Sequence, residues 1–202
     1  MPAAATRRAQ YAALTRQAIL DAARALFIEH GYFGTKVEQI AAAAQVAPAT
    51  VYAVGGGKNG LLRTLIETAV NSPENADLRG EIEAADDPQL LLQLIVDAAQ
   101  SRFDRWAPLL RQVIAAAPQE AGVRESLGIA HESLRQGLRL AAERLAAQEA
   151  LRAGLDAGQA TDLLWLYLCN TACFVRADDL GWSSQRSRDW LNTVLVRELL
   201  ER

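Results

Sequence analysis

Residues 35–62 read TKVEQIAAAAQVAPATVYAVGGGKNGLL, and their reading decides the fold. Thr35 and Glu38 form a T-x-x-E pattern, which predicts a capping box and a helix starting at Lys36. Val37, Ile40, Ala41 and Ala44 recur at helical spacing, so one face is apolar. Gln45-Val46 interrupts that pattern. Pro48 suits the first turn of a new helix, where its missing N–H costs nothing. A helix from Pro48 to about Ala53 is too short to stand alone in water, so it must pack through Val46 and Val51. Two helices across a short turn, the second presenting small and polar side chains, form a helix-turn-helix arrangement.

Working outward, the segment TRQAILDAARALFIEHGYFGTKVEQIAAAAQVA, then PATVY, then GKNGLL, resembles the DNA-binding domain of the tetracycline-repressor (TetR) family of bacterial transcription regulators. The shared pattern is an apolar helix ending in HGY, a threonine, an isoleucine-alanine pair, a valine, T-V-Y and K-x-x-L-L. It covers about the first third of the chain. The resemblance implies an all-α protein with a three-helix head over residues 1–70 and a helical regulatory and dimerisation body over residues 71–202. It also implies that Thr35, Thr50, Tyr52 and Lys58 hold DNA phosphates.

Three departures stand out. Gln45 replaces the glycine usual in the helix-helix turn. Ala47 stands where a serine or threonine often caps the recognition helix, and alanine cannot cap, at a cost of about 1 kcal/mol. Gly55 replaces an aromatic, within a Gly55-Gly56-Gly57 run expected to loosen the link to the next helix. An aromatic at Gly55 is expected to fill a gap and tighten DNA binding.

The net charge of −3 alone argues against nucleic acid, but its distribution argues otherwise. Residues 1–70 hold seven Lys/Arg against four acids, a balance of +3, while the remainder carries −6. A basic head on an acidic body fits DNA contact through the head. The chain is 50% hydrophobic, with no run of alternating β-branched residues. LLWLYLCNTACFV is too short to span a bilayer and is interrupted by Asn170 and Thr171. With no apolar signal core at the N-terminus, a cytoplasmic location is expected.

Along the chain, Met1–Gln10 reads either as a disordered tail or, through Arg7-Arg8, as an arm that touches phosphates or the minor groove. A helix is expected from about Ala12 to His30, with Gly31 as its stop, and another over 58–70. Residues 72–87 read as a loop at the domain boundary. Body helices are expected at 88–106, at 108–117 after Pro108, and at 119–148, 162–179 and 184–202.

Base readout is expected from Ala47, Pro48 and Ala49, which can touch only thymine methyls, and from Lys36, Gln39 and Gln45 as polar candidates. Cys169 and Cys173 share a helical face, but with one distant His131 they read as core rather than a metal or thiol site. No residue spacing demands catalysis, and no cofactor is expected. Phe103, Trp106, Val113, Leu134, Leu138, Trp165, Cys169 and Asn170 are candidates for a small-molecule pocket or for plain core. Leu166, Phe174, Trp190, Leu191, Val194 and Leu195 are the expected homodimer interface, formed by the last two helices.

The favoured reading is a dimeric repressor that leaves its double-stranded DNA operator when a small molecule binds, with no membrane partner. The alternative is a helical ligand-binding or catalytic protein with a degenerate DNA head, supported by Ala47, Gly55 and the net negative charge.

Overall fold

The computed structural model describes residues 3–200, the side chains of residues 3–6 excepted. The described residues form helices with no strand; a single antiparallel bridge joins Leu151 and Leu200. They divide into two compact units. One comprises residues up to Val70 together with Pro108–Ala130; the other comprises Asn71–Ala107 and His131 onward. Segment 108–130, expected within the body, therefore packs with the head.

The first unit opens with α1 (Ala3–Gly34), which runs into the stretch expected as a tail; Met1 and Pro2 lie outside the described residues. Its buried stripe is Ile19, Ala23 and Phe27, as the spacing predicts. Gly31, at φ +73°, interrupts the helical backbone. Next come α2 (Val37–Ala43), α3 (Pro48–Gly55) and α4 (Lys58–Val70). Val37, Ile40, Val51, Leu61 and Leu62 are buried in the core.

The expected Thr35–Glu38 capping box does not form. Thr35 is 1% exposed, and its hydroxyl points back to the carbonyls of Gly31 at 2.8 Å and Leu26 at 3.0 Å. The start of α2 is held instead by Gln39, whose Oε1 accepts the Lys36 N–H at 2.7 Å. Thr35 satisfies carbonyls left unpaired at the end of α1, a stronger demand than capping an exposed helix start.

The second unit contains α5 (Pro73–Ala84), parts of α6 (Pro88–Ala116) and α7 (Ala121–Ala147), then α8 (Ala157–Leu168), α9 (Asn170–Phe174) and α10 (Ser184–Leu199). The loop expected over 72–87 is largely helix. Pro73 occupies the first turn, and Leu78 and Ile82 dock on the core. The break expected at Pro108 is absent, and α6 runs through it. Proline there removes one hydrogen bond, and the buried neighbours Phe103, Leu109 and Leu110 offset that loss.

The long helix expected over 162–179 is broken at Cys169, whose ψ is 157°, and it ends in a π-helical turn over 175–179. Arg176, buried, donates to the Tyr167 carbonyl at 2.8 Å, satisfying a group that the break leaves open. Arg144 and Gln148 of α7 likewise hold the Ala85 carbonyl at 2.8 and 2.7 Å.

The α2–α3 turn is a Schellman motif: the Val46 N–H reaches the Ala41 carbonyl and the Gln45 N–H reaches that of Ala42. Gln45 takes its left-handed position at φ 56°, where a side chain is strained. Gln45→Gly is therefore expected to raise stability by up to about 1 kcal/mol, read as a higher urea midpoint with unchanged m-value. A lower midpoint would show that the Gln45 side chain contributes more than its backbone strain costs.

Candidate nucleic-acid interface

The exposed face of the helix-turn-helix is built from a few short elements. Ala47 begins α3 with no side-chain cap, as the sequence implies, and Pro48 supplies a preset first turn. Val51 is fully buried and anchors the helix. This leaves Ala47, Pro48, Ala49 and Tyr52 outward, with Lys36, Gln39 and Gln45 exposed beside them on α2 and its turn. Tyr52 is 54% exposed, and Thr50 is half-buried. Of the expected DNA contacts, Thr35 falls out: its hydroxyl is buried and directed at α1.

Lys58 is half-buried. Its Nζ donates to the Tyr32 carbonyl at 2.8 Å and lies 4.6 Å from the Tyr32 ring centre. Desolvation lowers its pKa, opposed by the nearby Glu120 carboxylate. The Tyr32 hydroxyl donates to Asn59 Oδ1, and Asn59 Nδ2 reaches Glu120 Oε1 at 3.3 Å. Burial, helped by Glu120, pushes the Tyr32 phenol up to about 12. Sequence reasoning assigned Lys58 but missed Asn59 and Glu120. Glu120 lies sixty-one residues beyond Asn59, and no periodicity links the two.

The glycine run is a fitted joint. Gly55 is not at positive φ, but a Cβ there would run into Leu61 Cδ2 and lie 2.7 Å from its Cγ. Gly56, at φ 66°, ends α3 with its N–H on the Tyr52 carbonyl at 2.7 Å. Gly57, at φ 94°, passes so close to the Tyr52 ring that a Cβ would sit 3.3 Å from it. At Gly60 a Cβ would overlap the Gly55 carbonyl oxygen. The expected gap beside Gly55 does not exist, and the run gives no support to a degenerate head.

The eight pocket candidates are scattered. Leu134 and Leu138 line a cavity of about 40 Å³. Phe103 packs edge-on to Phe174 and Trp165 edge-on to His131, while Asn170 is buried and Cys169 and Trp106 are half-buried. Val113 is buried in the first unit. The cavity's polar lining of Asn75, Arg79, Arg102 and Ser133 was missed, because the sequence search followed apolar residues.

The interface candidates also divide. Leu191, Val194 and Leu195 are buried in the chain's own core, so they face inward and are not free to pair with a second copy. Phe174 is half-buried. Leu166 is 66% and Trp190 37% exposed, with Val175 and Leu180 also outward. Among the described residues there is no group of three or more His, Cys, Asp or Glu that could hold a metal, and no helix long and apolar enough to cross a membrane.

The joint yields a test. Gly55→Phe is expected to lower stability by about 1–3 kcal/mol, the usual cost of forcing a side chain into packed space, and to weaken DNA binding. Tighter binding with unchanged stability would restore the slack-joint reading.

Comparison with known proteins agrees with this architecture. Residues 19–65 match the family model described as "Bacterial regulatory proteins, tetR family". The chain is 27% identical over 201 residues to the HTH-type transcriptional repressor NicS of Pseudomonas putida, covering 96% of this chain and 87% of NicS. Among solved structures, NalD of Pseudomonas aeruginosa, the secondary repressor of the MexAB-OprM multidrug efflux pump, is 24% identical. It superposes with a TM-score of 0.71 over 93% of this chain and 96% of its own. SmeT, solved as a complex with triclosan, gives a TM-score of 0.75 at 20% identity, covering 93% of this chain and 92% of SmeT. Residues 19–65 thus match the DNA-binding domain of the TetR family, and most of the chain is similar to a helix-turn-helix transcriptional repressor.

Proposed function

We propose that the chain is a homodimeric repressor that binds a two-half-site operator through α2 and α3 and leaves it when a small molecule occupies the body. The observation that carries this reading is the outward face of Lys36, Gln45, Pro48, Ala49 and Tyr52, held on a buried core by Val51 and the glycine joint. Its alanines and proline can meet thymine methyls, and Lys36 and Gln45 supply the hydrogen-bonding groups for base edges. Thr50, Tyr52 and Lys58 contact phosphates. Such contacts set register and affinity without reading sequence.

Two heads must meet successive major-groove faces about 34–36 Å apart. A ligand that favours a different spacing of the heads shifts the population away from the bound form. NalD and SmeT, a repressor and a ligand complex on the same fold, are consistent with this scheme. The protein would act in the cytoplasm, where its DNA is.

The direct test is binding to the promoter DNA beside its gene, followed by fluorescence anisotropy across a salt series. Lys58→Ala is expected to weaken binding to all sequences alike and to make the log-log salt slope shallower by about one per head. A changed sequence preference with an unaltered slope would remove Lys58 from the phosphate contacts.

Dimerisation is assigned to the outward apolar residues of α8 and α10, Leu166 and Trp190, with Trp182 packed edge-on to Trp190 at 5.3 Å. Trp190→Glu is expected to give folded monomers by sedimentation, with weakened operator binding. Leu195 is fully buried in the chain itself, so Leu195→Glu is expected to unfold the body instead. A Trp190→Glu protein that sediments as a dimer would move the interface elsewhere.

A further inference from the structure

A segment from far along the chain reaches the first turn of α4. Residues 108–130 pack in the first unit, and within them Glu120 and Gly122, at the start of α7, both meet Asn59, the residue after Lys58. Asn59 Nδ2 donates to Glu120 Oε1 at 3.3 Å. The Gly122 backbone lies so close that a Cβ there would sit 2.8 Å from Asn59 Cγ and Nδ2 and 3.1 Å from its Oδ1. Val123, next along, is fully buried, which anchors this end of α7. The exposed Asn59 side chain is therefore seated against α7 rather than free in solvent.

Asn59 hands this contact to Tyr32. Its Oδ1 accepts from the Tyr32 hydroxyl, and the Tyr32 ring is buried, with Phe27 at 5.5 Å between centres. Tyr32 in turn holds Lys58 twice, by its carbonyl at 2.8 Å from Nζ and by its ring, whose centre is 4.6 Å away. Glu120, Asn59, Tyr32 and Lys58 thus form one connected path. An amide suits the middle of it, because it accepts from a phenol and donates to a carboxylate at once. As a charge, Glu120 repels DNA; as an acceptor, it orders Asn59.

We infer that Glu120 is a positioning residue for DNA binding: through Asn59 and Tyr32 it holds Lys58 where a backbone phosphate meets it. A lysine ordered in advance loses less side-chain freedom on docking. The inference rests on the proposed phosphate contact of Lys58 and adds a residue that touches no DNA itself.

The experiment measures anisotropy of the full chain on the promoter duplex beside its gene and on a scrambled duplex of equal length, across a salt series. Glu120→Ala is expected to weaken binding to both duplexes about three- to tenfold, within the range of coupling in one hydrogen-bond network, and to make the log-log salt slope shallower, as Lys58→Ala does. Glu120→Gln keeps an acceptor for Asn59 and removes a repelling charge, so it should bind at least as tightly as the wild type. Added to Lys58→Ala, Glu120→Ala should cause no further loss. Without DNA, the Asn59 side-chain amide should exchange faster by NMR in Glu120→Ala, with the folded spectrum retained. Additive losses, an unaltered salt slope, Glu120→Gln binding as weakly as Glu120→Ala, or an unfolded Glu120→Ala would each overturn the inference. Wild type that retains neither duplex, or a silent Lys58→Ala, sinks the wider reading of the head or of Lys58 and this inference with it. Wild-type binding that Lys58→Ala weakens, with Glu120→Ala silent, sinks the inference alone.

Discussion

The DNA-reading face depends on one close approach of backbone to backbone. Helix α3 has eight residues and no side-chain cap, so it has no stability of its own. It is held because the first turn of α4 comes against its end, with Gly60 beside the Gly55 carbonyl. No other residue type fits at Gly60, since a Cβ would overlap that oxygen. Gly56 and Gly57 then turn the chain through the left-handed region, Gly57 passing within a few ångströms of the Tyr52 ring. Leu61 fills the space that a side chain at Gly55 would have taken. The joint thereby fixes both Tyr52 and Lys58, one on each side of it. A sequence rich in glycine here is a sign of close packing rather than of slack.

The same closeness shapes the electrostatics of the head. Lys58 is presented at the carbonyl end of α1, where the Tyr32 oxygen and the helix dipole favour a cation. One of its three donors is used there, which leaves two for a phosphate. Partial burial makes the charge costly, and Glu120 offsets some of that cost. Asn59 couples the two sides by accepting from the Tyr32 hydroxyl and donating to Glu120. A phosphate arriving at Lys58 would replace weak neutral partners with a full negative charge, so the lysine is positioned in advance without being neutralised.

How much of this could be read beforehand follows from the range of the forces involved. The helix-turn-helix and the burial of Val37, Ile40 and Val51 were legible, because periodicity and proline placement are local signals. Thr35 was misread because its hydroxyl has two local options, and the choice between them is made by the fold of α1 around Gly31. The break at Cys169 was invisible for a similar reason. The Tyr167 carbonyl that it opens is satisfied by Arg176, nine residues on, and no propensity scale anticipates that bond. Leu191, Val194 and Leu195, expected at the homodimer interface, form one apolar stripe that is buried within the chain. A stripe says that a face is buried, not whether the same chain or a second copy covers it.

Buried and half-buried arginines of the body are tied into the fold. Arg144 and Arg176 hold backbone carbonyls at Ala85 and Tyr167, groups that would otherwise be left open where helices end. Removing either side chain would expose a defect in the fold itself. Arg188 is shared between two carboxylates and ties α6 to α10. Each of these arginines can be explained from the chain alone.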